Sequence, residues 1–488
     1  MLVNIPEIIQ PSVNNAGYGL TDRPVYIEEF EDGSGFAFNT ENPSGVKYLE
    51  KWAFDIYKDL VYDKAAIAAM DTSTNSLYAD FVKHGLINII SPIPKTGSNN
   101  KRTFTVWFHI ANACNLSCSY CYIPKLMKAV DIKFMDKHFM DSETIEKATK
   151  GLFDFCIENQ FSHLQIKFAG GEPTLNVQRI NETCETAKAL SVKYNVPVSF
   201  TILTNGVFID DAIFETFTKY KFGVSISIDG DKDRHNEIRF TIPRSRVSDT
   251  DAAVKREGSW ETIDSNIDAL ISLGIKPYIL TTVTDKNYQY LLELVKYTIS
   301  KKMAFRFSLI RDKSSHKKEN LENELLSALT KVYDWLGENM PADMPIEHYA
   351  KFAEWNLMAK KQSVCGTCKN TMAIDQEGKV ASCQMRMDKS FGNVNNENLS
   401  SIFNKITTAD DNKYLVNTNA KSGDCSVCYW KFTCAGGCPE HTRIVMGTAN
   451  SPSPWCHLYQ GLLPVYFRSI ARQIKRSVEV GLNSNLKN

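Results

Sequence analysis

Three cysteines lie within eight residues of this chain, at Cys114, Cys118 and Cys121. Thiolates bind zinc and iron–sulfur clusters, and in an oxidising compartment they form disulfides. A closed zinc site needs a fourth cysteine or histidine, and the adjacent candidate, His109, belongs to a strand-like run. Three thiolates on one loop suit a [4Fe–4S] cluster whose fourth iron stays open to a small molecule. The spacing alone leaves zinc, a disulfide and a cluster as alternatives.

Eight further cysteines are grouped toward the other end of the chain. They are Cys365, Cys368, Cys383, Cys425, Cys428, Cys434, Cys438 and Cys456. Eight thiolates can complete two sites of four ligands each, which zinc ribbons and iron–sulfur clusters both use. Cys156 and Cys184 stand alone in helix-like segments, and we expect them to be buried packing thiols.

The composition argues against several classes of partner. Lysine plus arginine and aspartate plus glutamate number 56 each, so no net charge favours nucleic acid or an anionic membrane surface. No apolar run approaches the roughly 20 residues of a membrane span, and the first residues lack a signal-peptide pattern. We therefore expect a cytoplasmic protein with no nucleic-acid or membrane partner, whose reduced cysteines bind metal.

The elements that must position the first cysteine group are predicted between residues 101 and 310. Six apolar, β-branched runs, from TFTVWFHIA to AFRFSLI, alternate with amphipathic helical stretches. Parallel strands joined by crossover helices form a sheet covered by helices, and six such units predict an α/β partial (β/α)6 barrel. The cysteine loop follows the first strand, at the end where such folds build their active sites.

The other segments predict a five-part organisation. Residues 1–100 suggest an α+β domain that caps the barrel or recognises a peptide, with a β-ribbon near 24–40 and a helix near 44–60. The predicted parts are an N-terminal domain (1–100), the barrel (101–310), a helical bridge (311–361), a cysteine-rich domain (362–456) with a hairpin at Glu377 and Gly378, and a final helix (457–488).

The barrel segment resembles the radical S-adenosylmethionine (SAM) enzymes. That family carries C-x3-C-x2-C with an aromatic residue before the last cysteine, here Tyr120, and a GGEP motif after the second strand. After the fourth strand, SISIDGDKDRHNEIR is similar to the family's S-x-D-G…H-N-x-x-R segment. The resemblance implies that Cys114, Cys118 and Cys121 hold a catalytic [4Fe–4S] cluster whose open iron is chelated by SAM.

The resemblance also implies a set of SAM contacts at the carboxyl ends of the strands. The glycines of GGEP would let backbone groups approach the amino group of SAM, and the guanidinium fork of Arg239 suits its carboxylate. The residues implied as contacts are Gly170, Gly171, Glu172, Pro173, Thr204, Asn205, Ser227, Asp229 and Arg239. One departure is the long polar segment FTIPRSRVSDTDAAVKRE, which relatives usually lack and which predicts a surface loop.

The cysteine-rich segment resembles the auxiliary-cluster domain called SPASM. This resemblance implies two more [4Fe–4S] clusters, three in all, with interleaved ligands. One auxiliary cluster would take Cys365, Cys368, Cys383 and Cys438, and the other would take Cys425, Cys428, Cys434 and Cys456.

Together these features resemble oxidoreductases that modify ribosomally made precursor peptides. Such enzymes imply a flavodoxin- or ferredoxin-type electron donor, and the architecture is similar to maturases that form C–C or ether cross-links of the cyclophane and darobactin types. Thioether formation, epimerisation, formylglycine formation of the sulfatase type and a non-catalytic redox or binding role are the alternatives. Sulfatase maturases carry an aspartate directly after the cysteine equivalent to Cys383, whereas Gln384 stands here and cannot accept a proton as a carboxylate does.

Overall fold

The computed structural model of this chain describes most of its residues. The described ranges are 25–62 without 42 and 44, residue 81, 102–123, 138–241, 257–313, 320–357 without 356, 363–409 and 424–485.

Strands and helices alternate through the middle of the chain. The strands are β1 (Val25–Glu29), β2 (Gly35–Asn39), β3 (Lys47–Leu49), β4 (Thr103–Ala111), β5 (His163–Gly170), β6 (Val198–Thr204), β7 (Gly223–Ser227), β8 (Phe240–Thr241), β9 (Glu257–Gly258), β10 (Tyr278–Val283), β11 (Phe305–Leu309), β12 (Ala350–Phe352), β13 (Thr371–Ile374), β14 (Lys379–Ala381) and β15 (Gly392–Asn393). The helices are α1 (Lys51–Tyr62), α2 (Ser142–Glu158), α3 (Val177–Tyr194), α4 (Asp211–Tyr220), α5 (Lys232–Ile238), α6 (Trp260–Ser272), α7 (Leu291–Ser300), α8 (Leu321–Asn339), α9 (Ile346–Tyr349), α10 (Leu399–Thr408), α11 (Asp424–Val427), α12 (Lys431–Cys434), α13 (Pro439–Met446) and α14 (Cys456–Asn485).

The chain divides into two compact units, each assembled from separated segments. Unit 1 consists of Met1–Thr96, His316–Val364 and Asn417–Asn488, and unit 2 consists of Gly97–Ser315 and Cys365–Val416. The cysteine-rich segment is therefore shared between the two units.

Unit 2 contains the predicted barrel strands. Their order is β11-β10-β7-β6-β5-β4, and every neighbouring pair is parallel, which confirms the predicted parallel α/β sheet. The sheet continues past β4 into β13, which is also parallel, and then into antiparallel β14 and β15. The expected hairpin at Glu377 and Gly378 is the β13–β14 connection, where Gly378 has a φ of 80°.

The two faces of the barrel strands differ in character. On β4, Phe104, Val106 and Phe108 are fully buried, and the Phe104 ring lies 4.7 Å from the Phe155 ring of α2. These alternate residues therefore face the helices, and the residues between them, such as Trp107, face the inside of the barrel. The lone Cys156 and Cys184 are buried in α2 and α3, as expected.

Unit 1 begins with a three-stranded antiparallel sheet in the order β1-β2-β3. The β1–β2 hairpin confirms the predicted β-ribbon. The helix expected near 44–60 begins only at Lys51, because the preceding residues Lys47–Leu49 pair with β2. Buried Glu28 of β1 forms an ion pair with Arg468 of α14, so this sheet is fixed to the last helix.

The length and apolar character of the helices decide whether any of them could cross a membrane. None in the described part of the chain combines the length and the apolar character that a bilayer span requires.

Candidate active site

The first cysteine group lies on an irregular loop directly after β4. This loop runs beside the end of α5: the backbone N–H groups of Ser117 and Ser119 donate to the carbonyls of Phe240 and Ile238 at 2.9 and 3.0 Å. The loop is thus held by backbone hydrogen bonds to residues more than a hundred positions later. These bonds also fix the positions of the cysteines on the loop.

The three thiols lie within one another's electrostatic field. Burial raises the pKa of Cys114, and the negative charges of Glu172, Cys118 and Cys121 raise it further. Burial likewise raises the pKa of Cys118, to about 11, against the opposing effect of Arg239. A nucleophilic cysteine needs a lowered pKa, so these thiols suit metal ligation, in which the metal itself stabilises the thiolate.

The two glycines of GGEP are required by the backbone. The N–H of Gly171 donates to Ala111 at 2.8 Å and that of Glu172 to Ala113 at 2.7 Å. A Cβ on Gly170 would lie 2.0 Å from the Ala111 carbonyl oxygen, and one on Gly171 would lie 2.1 Å from that of Ala113. Gly170 also has a φ of 130°, which disfavours other residues. The glycines therefore let the motif pair with the start of the cysteine loop, a reason that the sequence interpretation did not include.

The carboxylate of Glu172 is buried, and both of its oxygens accept hydrogen bonds from other residues of the protein. It accepts hydrogen bonds from the N–H and hydroxyl of Thr174 at 3.1 and 2.8 Å, from the Thr204 hydroxyl at 2.7 Å and from the Asn205 N–H at 2.7 Å. Burial raises its pKa, and these hydrogen bonds oppose that effect. Glu172 and Thr204 thus fasten the ends of β5 and β6 together, and Pro173 begins the short 3-10 turn that follows.

Asn205 connects this fastening to the cysteine loop. Its side-chain amide donates to Asn115 at 2.7 Å and to the sulfur of Cys114 at 3.8 Å. Glu172 therefore acts on the cysteine loop through Asn205.

A buried charged group lies on the opposite side of the loop. Asp229 is fully buried, accepts from the N–H of Thr282 at 2.8 Å, and accepts a short hydrogen bond from the Tyr120 hydroxyl. Arg239 donates to the Tyr120 hydroxyl at 2.7 Å and forms an ion pair with Asp229 at 3.4 Å. Ser227 is half-buried at the end of β7, two residues before Asp229. Tyr120, expected only as an aromatic neighbour of Cys121, joins the cysteine loop to this ion pair.

Arg239 offers a test of whether SAM fits here. Burial disfavours its charge, but Cys118, Tyr120 and Asp229 hold its pKa well above the ordinary value. Its Nε is buried and has no hydrogen-bond partner in the described part of the protein. A fixed cation with an unused N–H beside three thiols fits an amino-acid carboxylate bound at an iron, so the residues present fit SAM.

His235 and Ser259, which were not predicted as site residues, connect Asp229 to the backbone of Arg239 by hydrogen bonds. The Asp229 N–H donates to Nδ1 of His235 at 3.4 Å, His235 Nε2 lies 2.9 Å from the Ser259 hydroxyl, and that hydroxyl donates to the Arg239 carbonyl at 2.8 Å. Burial, with Arg239 nearby, lowers the pKa of His235 to about 3, so its ring is neutral. The HN of the H-N-x-x-R segment and the later GSW were the available signals.

The segment FTIPRSRVSDTDAAVKRE begins and ends in a short two-stranded antiparallel ribbon. Its flanks, β8 and β9, pair antiparallel, and Asn236 accepts from the N–H groups of Ser259 and Trp260 at 2.9 Å each. The predicted surface loop itself, residues 242–256, lies outside the described residues.

Four of the later cysteines come together in unit 1. Burial raises the pKa of Cys434, and the charges of Cys428, Cys456 and Cys425 raise it further. These four are the set that the SPASM resemblance implied as one ligand group, which stays a prediction as to its metal.

The other set is distributed over both units. Cys365, Cys368 and Cys383 belong to unit 2, whereas Cys438, the N-cap of α13, belongs to unit 1. In neither of these two sets, nor in the first cysteine loop or elsewhere in the described ranges, do three His, Cys, Asp or Glu side chains stand close enough to hold one metal ion. The interleaved assignment therefore remains a prediction.

Comparison with known protein families gives the architecture a name. Residues 108–298 match the radical SAM superfamily, and residues 365–447 match SPASM, an iron–sulfur cluster-binding domain. The chain contains a radical SAM domain followed by a SPASM domain. A radical SAM domain binds SAM and a [4Fe–4S] cluster, and a SPASM domain binds auxiliary iron–sulfur clusters.

Characterised radical SAM proteins match over most of this chain. A cysteine-type anaerobic sulfatase-maturating enzyme of Clostridium novyi is 26% identical over 71% of this chain and 90% of its own length. The radical SAM cyclopropyl synthase TigE of Paramaledivibacter caminithermalis is 22% identical over 67% of this chain and 66% of its own. The structure of anSMEcpe with bound AdoMet is 20% identical, covers 75% of this chain and 98% of that one, and has a TM-score of 0.60. This structural likeness shows the shared fold.

Proposed function

We propose that this radical SAM enzyme modifies a side chain of a ribosomally made precursor peptide by oxidative C–C or ether cross-linking. The observation that carries the radical SAM chemistry is the placement of three neighbouring thiols, one of which, Cys118, lies in the field of Arg239, a buried cation with one N–H unused. When SAM and the cluster are bound, they supply a 5′-deoxyadenosyl radical that removes a hydrogen atom from the substrate.

The residues of the chain orient the bound SAM and exclude water. Cys114, Cys118 and Cys121 hold the cluster, and Arg239 receives the carboxylate of SAM. Asp229 and Tyr120 keep the guanidinium in place. Asp229 and Glu172 are both buried and accept hydrogen bonds from protein donors, which hold their carboxylates in place.

Cross-linking removes two hydrogens from the substrate for each bond formed. One leaves as a hydrogen atom to the deoxyadenosyl group. The second leaves as a proton to a base and an electron to an auxiliary cluster, whose potential can lie anywhere from about −700 to +450 mV. The thiols at Cys425, Cys428, Cys434 and Cys456 are the group proposed to hold one such electron acceptor. A flavodoxin- or ferredoxin-type protein would reduce the SAM cluster.

Formylglycine formation is the second candidate. The Clostridium sulfatase-maturating relative and the fold shared with anSMEcpe favour it. Against it stands Gln384, which follows Cys383 at the start of a 3-10 turn where the sulfatase enzymes carry an aspartate. A glutamine cannot remove the proton that an aspartate would.

The N-terminal sheet is proposed to recognise the peptide's leader. Peptides often bind by adding a strand to a sheet edge. Among the described strands, β3 pairs with β2 alone and is half-buried, whereas β1 is almost entirely buried. The exposed edge at β3 is therefore the one we expect an extended leader to join.

The proposal is tested first by SAM cleavage. The reconstituted, reduced protein should form 5′-deoxyadenosine from SAM under anaerobic conditions, measured by liquid chromatography. No product above background with all clusters loaded would overturn the enzyme assignment in favour of a redox or binding role.

The product is identified by co-expression with small open reading frames beside the gene. A loss of two hydrogens per site, with missing fragment ions between the joined residues, is expected for a cross-link. A product that reacts with an aldehyde reagent would instead favour formylglycine, alkylation that shows lost thiols would favour a thioether, and unchanged mass would favour epimerisation.

The role of the N-terminal domain is tested by deleting residues 1–95. If this segment recognises the leader, peptide turnover should fall more than SAM cleavage without peptide. Equal losses in both would identify the segment as a folding element.

A further inference from the structure

The inner face of the barrel carries a cation that faces no carboxylate. Lys167 lies on β5 directly opposite Trp107 of β4, and its ammonium group sits 5.1 Å from the centre of the Trp107 ring. Both side chains are half-buried. In the described part of the chain no acidic group pairs with Lys167 or acts on its charge. The Trp107 ring therefore stabilises the Lys167 ammonium group by a cation–π contact without neutralising its charge.

A second polar group lies one step closer to the cysteine loop on the same face. His109 follows Trp107 by two residues on β4 and is 5% exposed. Its Nε2 is buried without a hydrogen-bond partner among the described residues. Burial lowers the pKa of His109 to about 4, so the ring is neutral and can donate one N–H. A buried polar nitrogen without a partner is costly, and a ligand that forms a hydrogen bond with it would remove that cost.

The surroundings also favour an anion. Arg306 of β11 lies near enough that its charge, after burial, lowers the pKa of Lys167. Two residues earlier on β4 and β5, the same face carries neutral polar groups. The Thr105 hydroxyl donates to the Gln165 side chain at 3.3 Å, and the Gln165 amide donates to the Thr201 hydroxyl at 3.5 Å. An anion bound beside Lys167 would offset the effect of the Arg306 charge on the Lys167 ammonium group.

We propose that Lys167 and His109 bind a carboxylate of the substrate inside the barrel, Lys167 by its charge and His109 by its Nε2–H. The inference rests on the proposed function, because it assumes that a peptide enters the barrel below SAM. It adds that the residues near the modified position include an acidic side chain or the peptide's own C-terminal carboxylate. Trp107 is a positioning residue that holds the Lys167 ammonium in place.

The test uses the cluster-loaded full chain with SAM, titrated anaerobically by calorimetry with four short peptides. Two carry a carboxylate, as an aspartate side chain (Ac-Gly-Asp-Gly-NH2) or a C-terminus (Ac-Gly-Gly-Gly-OH). Their neutral partners are Ac-Gly-Asn-Gly-NH2 and Ac-Gly-Gly-Gly-NH2. At least one acid should bind about tenfold or more tightly than its amide, as expected for a charge-assisted contact. Which acid does so identifies the source of the carboxylate.

Variants separate the proposed contact from general effects of charge. Lys167→Met should abolish the preference for the acid, and Lys167→Arg, which restores the charge, should keep it. His109→Leu should weaken acid binding by roughly threefold, the loss of one neutral hydrogen bond. The matched control is Lys188→Met, since Lys188 of α3 also lies over an aromatic ring, that of Phe200 at 5.6 Å, but on the helical side. It should leave the preference unchanged.

Equal binding of acid and amide by the wild type, or a preference that survives in Lys167→Met, would overturn this inference. The 5′-deoxyadenosine assay on the same wild-type sample keeps it separate from the proposed function. A sample that cleaves SAM but shows no carboxylate preference rejects only the inference. A sample that does not cleave SAM rejects the proposed function.

Discussion

The two cysteine groups at Cys114–Cys121 and Cys425–Cys456 are positioned in different ways. The first loop is held by partners far away in the sequence: Asn205, Asp229 and Arg239 come from three later segments. In the second group, three of the four cysteines lie within ten residues on the short helices α11 and α12 and the turn between them. The charges that most raise the pKa of Cys434 are those of Cys428, Cys456 and Cys425.

This difference follows from what each group has to bind. A complete set of four thiolates needs only to be gathered, so closely spaced cysteines on short helices are sufficient. A site that leaves one iron open must also orient a second molecule, and it needs a fixed cation and fixed hydrogen-bond donors from several strands. The first site has the buried ion pair of Asp229 and Arg239, whereas the charges that act most strongly on Cys434 are those of neighbouring cysteines.

The largest effect is expected from removing a ligand of the open site. Cys118→Ala should lower SAM cleavage by about a thousandfold or more, because the cluster can no longer be held for electron transfer to SAM. Iron bound to the auxiliary sites should stay near eight atoms, about four per cluster. Cys184→Ala, which removes a thiol buried in α3, is the matched control and should cleave SAM normally. Cleavage that survives in Cys118→Ala would place the active cluster elsewhere.

Removal of a ligand from the closed site should separate the two groups. Cys434→Ala should lose about four irons, and peptide turnover should fall strongly, because one electron acceptor is missing. SAM cleavage without peptide should fall by less than about tenfold, since the first loop belongs to unit 2 and Cys434 to unit 1. Iron analysis and product mass measure the two effects. Equal loss of both activities would contradict the division of roles.

A third change tests the buried ion pair. Asp229→Ala leaves the Arg239 charge buried without its partner, which should cost about 3–5 kcal/mol. The melting temperature of the loaded protein should fall by roughly 3–9 °C. In the control, Lys232→Ala removes an exposed ion pair with Glu261 and should shift it by about 2 °C or less. Similar shifts in both variants would mean that the pair does not stabilise the site.

The smallest effect concerns the neutral histidine behind Arg239. The folded pKa of His235, about 3, lies below the unfolded value of about 6.5. The unfolded chain therefore binds more protons as the pH falls, so this stabilisation is present above pH 6.5 and is lost toward pH 3.

Between pH 7.5 and 5.5 the loss from His235 should be about 1.4 kcal/mol, or roughly 1–3 °C in melting temperature. His235→Gln, which can keep both hydrogen bonds, should lose that much less over the same interval. His348→Gln, at an exposed position on α9, should behave like the wild type. An identical pH dependence in His235→Gln and wild type would show that the histidine is not held neutral.

The strands and the cysteine loop were predictable because their signals are local. The run TFTVWFHIA is β4 from its first residue to its last, and the first two amphipathic stretches that follow it form α2 and α3. The loop's position followed from the rule that parallel strands carry their sites at the carboxyl end.

The long-range contacts were not predictable, because alternation and spacing carry no information about partners. Nothing in the GGEP motif indicates that its glycines lie against the backbone of Ala111 and Ala113. Nor does the motif indicate that the Glu172 carboxylate accepts hydrogen bonds from Thr174 and Thr204. The strand over 47–49 was missed because β3 is three residues long and forms only by pairing with β2. The continuation of the barrel sheet into β13 likewise depends on contacts between residues separated by about 270 positions.

The division of the chain has a consequence for its synthesis. Every segment of unit 2 has been translated once the ribosome has passed Val416, whereas the unit 1 sheet that starts at Val25 must wait for α14, which supplies Arg468 to Glu28. Domains can fold as soon as their own segments emerge. We therefore expect the barrel to fold on the ribosome first, while β1 and β2 remain exposed to chaperones until the last helix is released.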